Sequence, residues 1–242
     1  MLINNLNDFK TKHKNMGTQT AEEIKKNMTD TLGDKFGSFL YVIYNEINWL
    51  SFKWSEYCQL FAIEETRIEL LNKSAPSFFF LVQKTLIDSI ILEITKLTDP
   101  IESCNKKNIT LKAIPNYIDD EIFKNEIQNE IDNLTNKIQF LRNKRNQMIS
   151  HMDFEYYLGP KKATTTELVT KNEIDTAIKN LYSIYEKIEK FYFNTRTSQK
   201  IQYKQGAVSL LRLIEYGIQF RQEAMEKKKQ DEYYILNNPS KM

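Results

Sequence analysis

Between Ile127 and Met152 the chain reads IQNEIDNLTNKIQFLRNKRNQMISHM, with apolar side chains at Ile127, Ile131, Leu134, Ile138, Leu141, Met148 and Met152. The steps alternate between four and three residues, which places these side chains along one face of a helix. A stripe of this length must be buried against other helices. One member of the series is missing: between Leu141 and Met148, where the pattern asks for a hydrocarbon, stands Arg145. Six residues further on comes His151, one of two histidines in the protein. From Leu134 to Met152 the basic residues are Lys137, Arg142, Lys144 and Arg145, with no acidic one among them. A cation on a core-facing stripe is costly unless it is paired or opens onto water. Two readings of these residues stay open. In one, Arg145 snorkels to the rim or meets a structural carboxylate, and His151 is a solvated residue near a helix end. In the other, the broken pattern marks a functional site.

The rest of the chain is read as helical. Six glycines and five prolines in 242 residues favour long uninterrupted elements. A short helix is expected over Leu2 to Lys14, and Thr20-Ala21-Glu22-Glu23 fits a capping box that starts a second. Gly33 and Gly37 are expected to loosen the chain. Phe36 to Phe61 follows as a long helix with Phe39, Ile43, Ile47, Leu50, Trp54, Cys58 and Phe61 inward. Ser74-Ala75-Pro76 is read as a helix start with Ser74 as the cap, and that helix stops before Asp99-Pro100. It is apolar almost all round, which places it at the centre of a bundle. Asp88 and Glu93 interrupt it. Asp88 is the candidate carboxylate to hold Arg145, unless either acid simply faces solvent.

A connector over Ile101 to Asn116 carries one helical turn from Thr110 to Ile114, and Asp119 or Asp120 caps the helix of the interrupted stripe. After His151 a loop or small hairpin is expected, with a turn at Leu158 to Lys162 and β-prone residues from Thr164 to Val169. Thr170-Lys171-Asn172-Glu173 is a capping box opening a helix with Ile174, Ile178, Leu181, Tyr185, Ile188 and Tyr192 on one face. A last helix, Gly206 to about Lys227, turns Val208, Leu211, Ile214 and Ile218 inward. The expected organisation is an N-terminal helical or flexible segment over residues 1–35, a helical domain over 36–227 and a polar tail over 228–242.

Composition narrows the function classes. Charged residues make 27% and apolar ones 41% of the chain, as in a soluble globular protein. A net charge of +2 is too small to mark a general nucleic-acid binder, so a basic site must be local. Cys58 and Cys104 supply neither a disulfide framework nor metal spacing and are read as free thiols of a reducing cytosol, so the expected location is cytoplasmic. The N-terminus lacks an apolar signal region, and no run reaches the roughly 20 apolar residues of a membrane span. HExxH, a phosphate loop and a dinucleotide fingerprint are absent. With His13 in a polar segment, a histidine-based metal site is not expected, and no cofactor is implied.

The run Arg145-Asn146-Gln147-Met148-Ile149-Ser150-His151, R-N-x-x-x-x-H, is similar to the signature of the HEPN superfamily (higher eukaryotes and prokaryotes nucleotide-binding domains). FFFLVQKTLIDSIILEITKLTDP resembles the second helix of that superfamily's abortive-infection branch, and ISHMD resembles its Ala-His-x-Asp ending, with Ser150 in place of alanine. The likeness extends roughly from Ser74 to Glu226. It implies an all-α, HEPN-like helical bundle with additional N-terminal helices and a short loop or hairpin after the motif helix. It also implies a metal-independent endoribonuclease, dimeric, acting in phage defence, abortive infection or as a toxin, alongside an antitoxin or defence-system partner protein. Arg145 would stabilise phosphate, His151 would serve as general acid or base, and Asn146 would orient one of them. Arg142 and Lys144 would guide the RNA backbone. These roles suit the residue types: imidazole titrates near neutrality, and a planar guanidinium matches phosphate oxygens. Residues 145 and 151 point about 120° apart on an ideal helix, so two chains around one cleft would complete the site. Asp153 stands where a related toxin branch carries a modifiable tyrosine, which argues against that regulation. Two alternatives are a non-catalytic HEPN-type module for RNA, nucleotide or scaffold contact, and a helical interaction protein with a chance motif.

Overall fold

The computed structural model of the protein describes residues 20–149, 169–194 and 206–237. These residues are helical apart from short connectors and one pair of two-residue strands, so the all-α expectation holds. The expectations for Leu2 to Lys14 with His13, for the loop or hairpin over Leu158 to Lys162 and Thr164 to Val169, and for His151 itself fall largely or wholly outside the described residues.

Helix α1, Ala21–Phe61, begins at the expected capping box. The Thr20 hydroxyl accepts from the Glu23 N–H at 3.2 Å, and the Glu23 carboxylate accepts from the Thr20 N–H at 2.6 Å. At Gly33 the backbone leaves the helix with φ 77° and ψ 159°, a conformation that glycine adopts at least cost. The chain folds back there. Residues 28 and 37 would stand about 13 Å apart along a straight helix, yet a Cβ on Gly37 would lie 2.5 Å from the Met28 carbonyl oxygen. Gly33 is thus the break, whereas Gly37 is a close backbone contact and not a second loosening point.

Helix α2, Glu65–Ser74, and helix α3, Pro76–Lys96, follow. Ser74 does not cap α3: it closes α2, with its hydroxyl donating to the Leu71 carbonyl at 2.9 Å. Two short strands, β1 (Glu102–Ser103) and β2 (Lys106–Lys107), pair antiparallel around Cys104 and Asn105, both at positive φ. The expected turn near Thr110 is a 3-10 helix, Leu111–Tyr117. Helix α4, Glu121–Lys137, is capped by Asp120, whose carboxylate accepts from the Phe123 N–H. The stripe helix does not run unbroken. It pauses at Ile138, where the Thr135 hydroxyl has bonded back to the Ile131 carbonyl, a contact that bends helices. It resumes as α5, Gln139–Lys144, and ends in a π-helical turn, Arg145–Ile149. Helix α6, Lys171–Phe193, opens on the expected Thr170–Glu173 box, and α7 spans Ala207–Asn237, past the expected end near Lys227.

The chain divides into two compact units, Met1–Leu50 with Ile91–Gln199 and Ser51–Ile90 with Lys200–Met242. The first holds the interrupted stripe: Ile127, Ile131, Leu134, Ile138 and Leu141 are all buried, with Leu40, Ile43, Ile47, Ile94, Ile114, Leu181, Tyr185 and Ile188. Lys187 of α6 donates to Glu126 and Glu130 of α4 at 2.7 and 2.8 Å. The second unit is built on Leu60, Leu71, Phe79, Ala207 and Leu211. Here the expectation of an enclosed α3 fails: Phe78, Phe80 and Leu81 are more than half exposed, and between the buried Phe79 and Ile90 no residue is fully buried. Val208, expected inward, is exposed as well. In this unit the Glu56 carboxylate accepts from the Ala207 N–H at 2.6 Å, capping α7.

Gly37→Ala is expected to lower stability by about 1–3 kcal/mol, because the backbone of Met28 and Thr29 cannot yield as a side chain would; the urea midpoint measures it. A second expectation concerns pH. The Lys187 pKa is raised, first by its hydrogen bonds to Glu126 and Glu130, and burial raises the Tyr44 hydroxyl. A raised folded-state pKa gives stability that is full below the unfolded pKa and lost as pH rises through the folded one. The urea midpoint should therefore fall above pH about 10, and Lys187→Met should flatten that fall.

Candidate functional site

The end of α3 is fixed by three fully buried threonines. The Thr98 hydroxyl donates to the Thr95 carbonyl at 3.1 Å, and the Thr110 hydroxyl donates to the carbonyls of Leu97 and Asp99 at 3.0 and 2.9 Å. Asp99 donates its own N–H to the Lys96 carbonyl, and Pro100 follows. A residue read in the sequence only as a helix stop is thereby set in a rigid corner, with its carboxylate directed at α5.

Two guanidinium groups meet that carboxylate. Arg142 and Arg145 stand three residues apart, the spacing that puts side chains on one helix face. Arg142 donates from Nη1 to Asp99 Oδ1, and from Nη2 to the Thr98 hydroxyl at 2.7 Å and the Thr98 carbonyl at 3.0 Å, with a longer contact to the Thr95 carbonyl. Arg145 donates from Nη1 to both Asp99 oxygens at 2.8 and 3.1 Å, and from Nε to Asn146 Oδ1 at 3.1 Å. The side chains of Arg142, Arg145 and Asp99 are 14%, 17% and 23% exposed. The cluster is therefore mostly dry and carries two positive charges against one negative, which gives it a net attraction for anions.

The sequence-derived candidates fall differently into this picture. Arg145 and Asn146 are in direct contact, at the first turn of the π segment. Arg142, expected to guide RNA, spends its donors inside the protein. Lys144 is half-buried in the preceding turn. Asp88, proposed as the partner of Arg145, pairs with Lys84 at 2.8 Å, and the carboxylate that meets Arg145 is Asp99. His151 lies outside the described residues. The π segment begins at Arg145 itself, and such turns recur at functional sites. The sequence held a signal for Asp99: an acid before proline at the end of an apolar helix, facing a stripe with two arginines at helical spacing. Among the described residues no group of three or more His, Cys, Asp or Glu side chains could hold a metal ion, and no helix is long and apolar enough to cross a membrane.

Against known proteins, the family model HEPN_AbiU2, described as AbiU2, matches residues 33–209. The match includes α3, Asp99, both arginines and the capping box of α6. No curated protein and no solved structure matches the chain.

The bonding pattern orders the two arginines by structural cost. Arg142→Ala removes one of the two partners of Asp99 and also the donor to the Thr98 hydroxyl and carbonyl at the buried end of α3, so it should cost at least about 2 kcal/mol. Arg145→Ala leaves Asp99 with Arg142 and should cost less. Denaturation midpoints of the two variants compare them directly, and a larger loss for Arg145→Ala would show the assignment to be reversed.

Proposed function

Because the chain belongs to the AbiU2 family of HEPN abortive-infection domains, we propose that it is a metal-independent endoribonuclease that uses Arg145 and His151 across a homodimer. The observation that carries this reading is the state of Arg145: a dry guanidinium on a core stripe, oriented by Asp99 on one side and Asn146 on the other. Its Nη2 group makes no hydrogen bond to a described residue, and in this reading it meets a phosphate oxygen.

The reaction requires the 2'-hydroxyl of RNA to lose a proton and attack the adjacent phosphorus. The bond from O2' to phosphorus forms, the bond from phosphorus to O5' breaks, and the departing oxygen takes a proton. The products are a 2',3'-cyclic phosphate and a 5'-hydroxyl. Negative charge grows on the non-bridging oxygens at the pentacoordinate stage, where Arg145 stabilises it. His151 accepts the first proton or delivers the second, a role for which histidine is the usual side chain. Two copies of the motif around one two-fold axis supply both functions at once. Asn146 keeps Arg145 turned towards the phosphate, and Lys144 attracts the RNA backbone. A defence-system or antitoxin partner is consistent with an abortive-infection family. The competing reading, a non-catalytic module that binds RNA or nucleotide phosphate, draws on the ion pair that Arg145 already makes with Asp99.

Purified protein in chelator should cleave RNA, and Arg145→Ala and His151→Ala should each lower the rate by at least about a hundredfold while remaining folded and dimeric. RNA binding retained with no cleavage by the wild-type protein would favour the competing reading. Full activity in both variants would remove the proposal.

A further inference from the structure

We infer that Asp99 and Arg142 are positioning residues of this site, holding the Arg145 guanidinium in one orientation with its charge preserved; the inference rests on the ribonuclease reading of Arg145. Four observations carry it. The Asp99 carboxylate touches both arginines, so neither contact is an isolated surface pair. Its main chain is tied on both sides, through its N–H to Lys96 and its carbonyl to the Thr110 hydroxyl. Arg142 is tied in turn, with Nη2 on the Thr98 hydroxyl and carbonyl. Finally, Thr98 and Thr110 are completely buried, and both hydroxyls bond within this corner, Thr98 with Arg142 and the Thr95 carbonyl and Thr110 with the carbonyls of Leu97 and Asp99.

Buried hydroxyls are retained only where they satisfy particular partners. Here they satisfy the corner that presents Asp99. The division of labour follows from charge. A lone carboxylate against Arg145 would cancel the charge a phosphate needs. With Arg142 on the same carboxylate, the three groups keep a net charge of +1. Asp99 can then orient Arg145 through Nη1 without neutralising the site. Arg142 acts as a structural counter-cation, not as an RNA contact, and its planar fork suits it to bridge a carboxylate and two oxygens of Thr98. A lysine has the charge but not the fork.

The test separates this inference from the reading beneath it. Activity in chelator by the wild-type protein tests the ribonuclease reading alone. For the positioning role, Asp99→Asn should lower kcat by about tenfold or more with KM changed less than about threefold, because only an interaction aligned for the transition state is lost. Asp99→Glu should recover part of the rate. Arg142→Lys should fall with Asp99→Asn, and Thr98→Val, which keeps the shape and removes one bond to Arg142, should give a smaller loss. In an Arg145→Ala background, Asp99→Asn should have no further effect on the residual rate. An equal loss in that background, or an unchanged kcat in folded Asp99→Asn and Thr98→Val proteins, overturns the inference. A readout without RNA covers an inactive wild-type protein. The Arg145 Nε–H resonance, identified by its disappearance in Arg145→Ala, should be sharp and protected from exchange in the wild type and should lose protection in Asp99→Asn and Thr98→Val. A resonance indifferent to both substitutions also overturns the inference.

Discussion

One carboxylate, that of Asp99, lies between two guanidinium groups in a mostly dry corner of the protein. Removing three charges from water is expensive, and the attraction between them offsets that cost only if the geometry is good and the remaining donors are satisfied. Local hydrogen bonds supply that geometry and satisfy most of the remaining donors. Thr98 and Thr95 take the donors of Arg142 that Asp99 does not, Asn146 takes one from Arg145, and Thr110 holds the carbonyl of Asp99. The end of α3, the start of the 3-10 helix and the helix bearing the two arginines are thereby joined at one point. An error in any of these three segments would leave a charge buried without its partner.

That dependence explains why the helix of the interrupted stripe is not regular. An unbroken α-helix from Glu121 onwards would keep a single register. The pause at Ile138 and the π turn at Arg145 depart from it, while the hydrocarbon stripe on the N-terminal side stays fully buried. Packing thus sets the position of Leu134, Ile138 and Leu141, and the ionic cluster is met by changing the turn geometry beyond them. The second unit has a different character: its small core lies beside exposed phenylalanines on α3 and an exposed outer face of α7, including Phe220 at 73%.

Much of this was legible in the residues. The period of three and four residues identified the buried face of α4 and α5, and Thr20-Glu23 and Thr170-Glu173 marked helix starts because capping is a local interaction. Belonging to an abortive-infection HEPN family was legible in the R-N-x-x-x-x-H run and its helical setting, and the match over residues 33–209 shows it. What periodicity could not supply was the pairing partner of Arg145. Asp88 lay within a helix and drew notice, but its near neighbour Lys84 is its partner. Asp99 looked like punctuation before Pro100, and its role depends on contacts to residues more than forty positions away, such as Arg142. Long-range polar pairing leaves little trace in local spacing. The reach of α7 beyond Lys227 was likewise missed, because its polar residues resemble those of a loose tail.

The account rests on Arg145 being presented to a phosphate by chemistry that the protein completes without a metal. The most direct measurement is the chemical identity of the ends left when a defined RNA is incubated with the protein in excess chelator. A 2',3'-cyclic phosphate upstream and a 5'-hydroxyl downstream is the predicted result. Intact RNA, or ends bearing a 3'-hydroxyl and a 5'-phosphate, would contradict it.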